Sequence, residues 1–195
     1  MKTVIKKTSN GIYSLSVDSM LLSERIIFLE GEINSETAND ICKQILILAS
    51  EDREKPVKLL ISSPGGEINP GLSIVDALTT SDLSIYTYCI GKAYSMAAIV
   101  FACGKKRFML ENSEVMIHEP LISTRSFSAS TSSVKNISDN MIVVKKKICR
   151  ILADRCKKDS DAVEKDLEND LYMSAQEAVD YGIADAIAPF SDIIS

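Results

Sequence analysis

The chain has 195 residues, of which 46% are hydrophobic and 25% charged, and its formal net charge is −5. That size and balance fit one globular domain with a substantial core. They argue against a binder of phosphate backbones, because no basic stripe exceeds short clusters such as the lysines at 145–147, which read as a solvated helix face. Residues 1–24 read as irregular or short-stranded. Residues 25–33, RIIFLEGEI, read as a strand. Residues 34–50 read as a polar-capped helix with Ala38, Ile41, Cys42, Ile45 and Leu48 on one face. A charged turn leads to a strand at 57–61, continuously apolar as a covered sheet requires. The loop SSPGGEINPG enters a helix near 71–79, and a strand follows at 83–90. The stretch CIGKAYSMAAIVFACG, 89–104, supplies the next helix. This alternation predicts a crossover α/β fold.

Short strands at 107–110 and 115–117 flank a turn at Glu111 and Asn112. Residues 123–133 are polar and serine-rich, compatible with a loop or an edge strand. Val134, Ile137, Met141, Val144, Ile148 and Leu152 then step by three or four residues. That spacing predicts a long helix with about 18 residues of one-sided apolar surface. A short helix near 161–168 follows. Ser174 and Glu177 form a capping box, Gly182 is a natural helix end, and IADAI closes as a strand or turn. No linker or internal repeat divides the chain, so one domain is expected. No run of eighteen apolar residues exists, and the start, MKTVIKKTSNG, lacks the apolar segment of a secretory signal. Neither a membrane span nor export is expected. The five cysteines, Cys42, Cys89, Cys103, Cys149 and Cys156, are odd in number and not closely paired. They point to a reducing compartment, with the cytoplasm as the expectation. One histidine and no Cys-x-x-Cys argue against a structural zinc site.

Four places carry candidate chemistry. Gly65 and Gly66 can take positive φ and expose backbone N–H groups to a phosphate or a developing oxyanion. The loop is neither a Walker A nor a dinucleotide fingerprint, and a plain turn is the competing reading. Ser95 stands at the start of a helix. It is a helix cap, a packed small residue or a nucleophile beside free N–H groups. The GxSxG pattern is absent, since Ala93 and Ala97 occupy its glycine positions. His118 is the single histidine, and a satisfied structural histidine is its plain reading. If serine-based acyl transfer occurs, His118 is its base. A third, orienting carboxylate has many candidates. Asp170, in ENDLYMSAQE, is one, and spacing does not prove that it faces His118.

Taken together, LLSERIIFLEGEI, ISSPGGEINPGLSIVDAL, GKAYSMAAIVFACGKKRFMLENSEVMIHEPL and DLYMSAQEAVDYGIAD resemble, in order and over nearly the whole chain, the ClpP family of Clp protease proteolytic subunits. The resemblance implies a crotonase-like α/β domain over 1–195 with repeated β-β-α and βα units. It implies an N-terminal gate segment at 1–20 and a handle region at about 121–158, whose long helix, about 134–158, meets an opposite ring. It implies two stacked seven-membered rings enclosing a chamber, and a partner AAA+ Clp ATPase that unfolds polypeptides and threads them in. ATP belongs to that partner; no cofactor or metal is implied in this subunit. By motif, the nucleophile is Ser95, the base His118 and the orienting carboxylate Asp170. The oxyanion donors are Gly66 and Met96.

The chain departs from the family pattern at several places. Ala97 replaces a glycine behind the oxyanion donor. Glu119 replaces a glutamine beside the base. Ile122 and Ser123 replace glycines where a peptide would lie, and Leu171 replaces an arginine used between rings. These departures describe a divergent paralogue, with low activity alone or mixed assembly with a second ClpP-type subunit as the expectation. The alternatives are a catalytically weak or inactive regulatory or structural ring member, and a crotonase-type acyl-CoA enzyme. No nucleic-acid or membrane partner is expected.

Overall fold

The computed structural model describes residues 3–8, 11–121 and 130–194, with backbone alone at 6–8 and 11–13. An antiparallel hairpin of β1 (Thr3–Thr8) and β2 (Gly11–Ser16) opens the chain, and α1 (Val17–Ser23) follows at once. The strands agree with the sequence reading; the helix does not. Its seven residues are too few for a periodic signal, but Ser16 accepts from the Ser19 N–H at 3.0 Å and caps it.

The core sheet is built on three parallel neighbours, β3 (Ile26–Ile33), β4 (Val57–Gly66) and β5 (Ile85–Tyr94). β6 (Lys106–Met109) pairs with the first part of β5, and β7 (Glu114–Ile117) pairs with its last part. β8 (Leu171–Ser174) runs antiparallel to β7, and β9 (Ala186–Ile187) runs parallel to β6. The crossovers are α2 (Ser35–Glu51), α3 (Ile68–Thr80) and α4 (Met96–Ala102). After β7 come α5 (Thr131–Cys156) and α6 (Ser160–Asp166), and α7 (Ala175–Tyr181) follows β8. The expected α/β fold and helix–strand alternation are present. Among the described residues no helix is long and apolar enough to cross a membrane.

Apolar continuity explains the centre. Val57, Leu59, Leu60 and Ile61 of β4 are buried, as parallel strands covered on both faces require. All seven residues of α4 are buried, so this helix lies inside the core rather than on it. On α2, Ala38, Ile41, Ile45 and Leu48 are buried, while Cys42, expected on the same face, is half-buried. Asn34 and Thr37 form a capping box at the start of α2. At its far end Arg25 donates to the carbonyls of Leu48, Asp52, Lys55 and Pro56, at 3.2, 2.8, 3.1 and 3.2 Å. The guanidinium thus ties the last turn of α2 to the 52–56 connection that leads into β4.

The glycine segment corrects the expectation of a loop. β4 continues through Gly66, with Ile33 paired to Gly66 beyond a register shift at Glu30/Glu32. α3 accordingly begins at Ile68 rather than near 71. The long helix begins at Thr131, capped by Ser130, so 131–133 are helical rather than loop or edge strand. Ile122 and Ser123, like the rest of 122–129, lie outside the described residues. Only the second half of α5 is anchored, by Ile148, Cys149, Leu152, Ala153 and Cys156. Val134, Ile142 and Val143 of its first half are exposed. Arg107 of β6 fastens the anchored end: it pairs with Asp185 and donates to the carbonyls of Arg155 at 3.0 Å and Gly182 at 2.9 Å. Burial pushes the Asp185 carboxyl up, but the Arg107 hydrogen bonds and charge outweigh it and hold it below the usual range.

Candidate active site

Three strand ends meet at one edge of the sheet. β5 ends at Tyr94, placing Ser95 next; β7 ends at Ile117, placing His118 next; Asp170 immediately precedes β8. Tyr94 pairs with Met116, and Ile117 with Leu171. Because β8 runs against β7, the residue before β8 falls beside the residue after β7. The Glu119 N–H donates to the Leu167 carbonyl at 2.9 Å, so backbone contacts bracket His118 and Asp170 on both sides.

Ser95 occupies φ 53° and ψ −124°. Such conformations cost a non-glycine residue about 1–3 kcal/mol and persist where the surroundings over-determine them. Here the Ser95 N–H donates to the Met116 carbonyl at 2.8 Å, and the Tyr94 hydroxyl bonds Glu114. Both ties lock the end of β5 to β7, and the Glu114 bond pushes the Tyr94 phenol up to about 12. Ser95 stands at the cap position of α4, yet its side chain makes no cap hydrogen bond. Its Oγ lies instead 2.8 Å from Nε2 of His118. The capping explanation for Ser95 therefore fails.

On the other side of the imidazole, Nδ1 is 3.8 Å from Oδ1 of Asp170. That is ion-pair range but beyond hydrogen-bond reach. The Asp170 side chain is 59% exposed, whereas that of His118 is 14% exposed. Gly65 and Gly66 close the flank of Ser95 at φ 91° and 151°. A Cβ at Gly65 would stand 2.6 Å from the Tyr94 carbonyl oxygen and 2.8 Å from the Ser95 Cβ. One at Gly66 would stand 2.2 Å from the Ile33 carbonyl oxygen. Only glycines let β4 approach this closely.

Gly66, Ser95, Met96 and His118 all line one cleft of about 830 Å³, with Met141, Val144 and Ile148 of α5 as an apolar wall. Met96 is the first residue of α4, where backbone N–H groups lack intrahelical partners. A serine held against an imidazole, with backbone donors beside it, is suited to acyl transfer. The cysteines are poor rivals as nucleophiles: burial pushes the Cys103 and Cys156 thiols up to about 11. Among the described residues no group of three or more His, Cys, Asp or Glu is placed to hold a metal.

A family model described as "Clp protease" matches residues 9–190. The chain belongs to the Clp protease family. It is 39% identical over 187 residues to the "ATP-dependent Clp protease proteolytic subunit" of Ligilactobacillus salivarius (strain UCC118), covering 95% of this chain and 93% of that protein. The departures of this Clp protease chain have local explanations. Ala97 lies inside α4 and is absent from the non-glycine residues with positive φ, so its methyl group brings no backbone strain. Leu171 packs its half-buried side chain against the core. Glu119 faces the Lys145 ammonium at 3.2 Å. Lys145 is the residue that sequence reasoning missed. Its run with Lys146 and Lys147 reads as a solvated face, and those two are exposed, but its own side chain is 23% exposed. The signal was its spacing, four residues after Met141 and three before Ile148, on the cleft side of α5.

Proposed function

We propose that the chain is the proteolytic subunit of an ATP-dependent Clp protease, a serine endopeptidase that cleaves unfolded polypeptides with Ser95, His118 and Asp170. The observation that carries the residue assignment is the 2.8 Å contact between Ser95 Oγ and His118 Nε2 at the cleft. His118 takes the Ser95 proton as Oγ attacks a peptide carbonyl. The Gly66 and Met96 N–H groups stabilise the oxyanion. His118 then protonates the leaving amine, and water releases the acyl group by the same steps. Asp170, in ion-pair range of Nδ1, offsets the imidazolium charge that forms.

Family membership supports the wider assembly: seven-membered rings stacked in pairs, fed by a cytoplasmic AAA+ ATPase that consumes the ATP. The segment 1–20 serves as the gate and 121–158 as the handle. The exposed Val134, Ile142 and Val143 support contact between handles, since they lack cover in one protomer. The same comparisons leave the catalytically silent ring member and the acyl-CoA enzyme without support. Native mass spectrometry with a fluorophosphonate probe tests the proposal. Fourteen subunits, each labelled at Ser95, are expected, with hydrolysis of short peptides. Rings without label or hydrolysis would overturn the assignment.

A further inference from the structure

Lys145 stands where the two halves of the base side meet. Its Nζ is 3.2 Å from Oε2 of Glu119 and 3.5 Å from Oε1 of Glu164. Glu119 directly follows His118 and precedes Pro120, whose ring limits the path of the chain. Glu164 lies on α6, whose end carries the Leu167 carbonyl that accepts from the Glu119 N–H, and Asp170 follows three residues later. One ammonium on the handle helix therefore touches both the segment bearing the histidine and the segment leading to the aspartate. The Glu119 hydrogen bond raises the Lys145 pKa further, so the charge persists across the neutral range.

We propose that Lys145 is a positioning residue for peptide hydrolysis: clamped between Glu119 and Glu164, it couples α5 to the alignment of His118 between Ser95 and Asp170. This rests on the serine-protease reading above. The clamp does not touch the reacting atoms. It acts on the path of residues 118–120, and at 3.8 Å the Asp170 carboxylate is too far from Nδ1 to hold the imidazole by a hydrogen bond. Its orientation then rests on the Ser95 contact and on a backbone held by the β7–β8 ladder and the Glu119 N–H bond to Leu167, to which the Lys145 clamp adds a side-chain tie. Small displacements of a base translate into large rate losses. Lys145 lies where the anchored half of α5 begins, so the clamp also joins helix placement to base placement.

The chain contains one histidine, so its ring resonance reports His118 alone. The test uses assembled full-length protein with isotope-labelled histidine, in wild type, Lys145→Met, Glu119→Gln and the full charge reversal Glu119→Lys/Lys145→Glu/Glu164→Lys, which keeps both opposite-charge pairs. Lys145→Met is expected to shift or broaden the ring signal and to lower kcat about tenfold, with KM changed far less. Glu119→Gln should do the same to a smaller degree. The reversal should return both readouts toward wild type, which a general loss of folding would not allow. An unmoved ring signal in Lys145→Met, at any activity, would overturn the clamp. Failure of the protease reading shows separately, as an unlabelled Ser95 in the wild type. The ring signal still tests the clamp in that case.

Discussion

The proposed nucleophile and its proposed base are held by different kinds of structure. Ser95 and Met96 sit between β4, β5 and a helix buried at every position, and two glycines admit the neighbouring strand. His118 and Asp170 sit at the ends of two four-residue strands, with an exposed carboxylate and a half-anchored helix beside them. Packing fixes the first pair; a few polar contacts fix the second. Interiors are close-packed and resist displacement, whereas exposed polar contacts are individually weak. Adjustment of this site therefore belongs to the base side.

The sharpest test of the comparison is Ser95→Ala. Peptide hydrolysis should fall at least about 10⁴-fold, with stability changed by no more than about 1 kcal/mol, because the hydroxyl caps nothing and its hydrogen bond is to His118. Next is Gly65→Ala, which forces a methyl group against Tyr94 and Ser95 at positive φ. It should cost about 2–4 kcal/mol in denaturant unfolding and abolish measurable cleavage. A stable, active Gly65→Ala would break the distinction between the two sides. Asp170→Asn is predicted to be milder, lowering kcat about 10- to 100-fold with little change in stability, because the carboxylate is exposed and distant. Arg107→Met has the smallest effect on chemistry. It should cost about 1–3 kcal/mol of stability by leaving the Arg155 and Gly182 carbonyls without their donor. The Asp185 carboxyl is held low in the fold, so its contribution is present above about pH 4 and lost as pH falls through the folded value. Melting curves should therefore show wild type losing more stability than Arg107→Met below that pH.

Much of the scaffold was legible because its signals are local. The strand at 25–33, the capped helix after Asn34 and the capping box at Ser174 each follow from side-chain pattern and hydrogen-bond chemistry within a few residues. The glycine segment was not, because pairing with β3 overrides its turn propensity and that partner is distant in the chain. Ser95 was ambiguous for a related reason. A positive φ at a non-glycine residue leaves no mark in composition, and the 2.8 Å contact depends on the β5–β7 register. His118 stood out as the single imidazole, but its partner Asp170 was one carboxylate among many until β8 paired with β7. Lys145 was misread because neighbouring lysines diluted its helical position.

The backbone at Ser95 also bears on how such a chain evolves. A left-handed conformation held by a non-glycine residue is a standing liability, and glycine would relieve it by about 1 kcal/mol. A lineage with no use for the hydroxyl would gain stability by a single exchange to glycine. Serine at that position therefore carries a conformational cost that the fold alone does not require, and that its hydroxyl must offset through function.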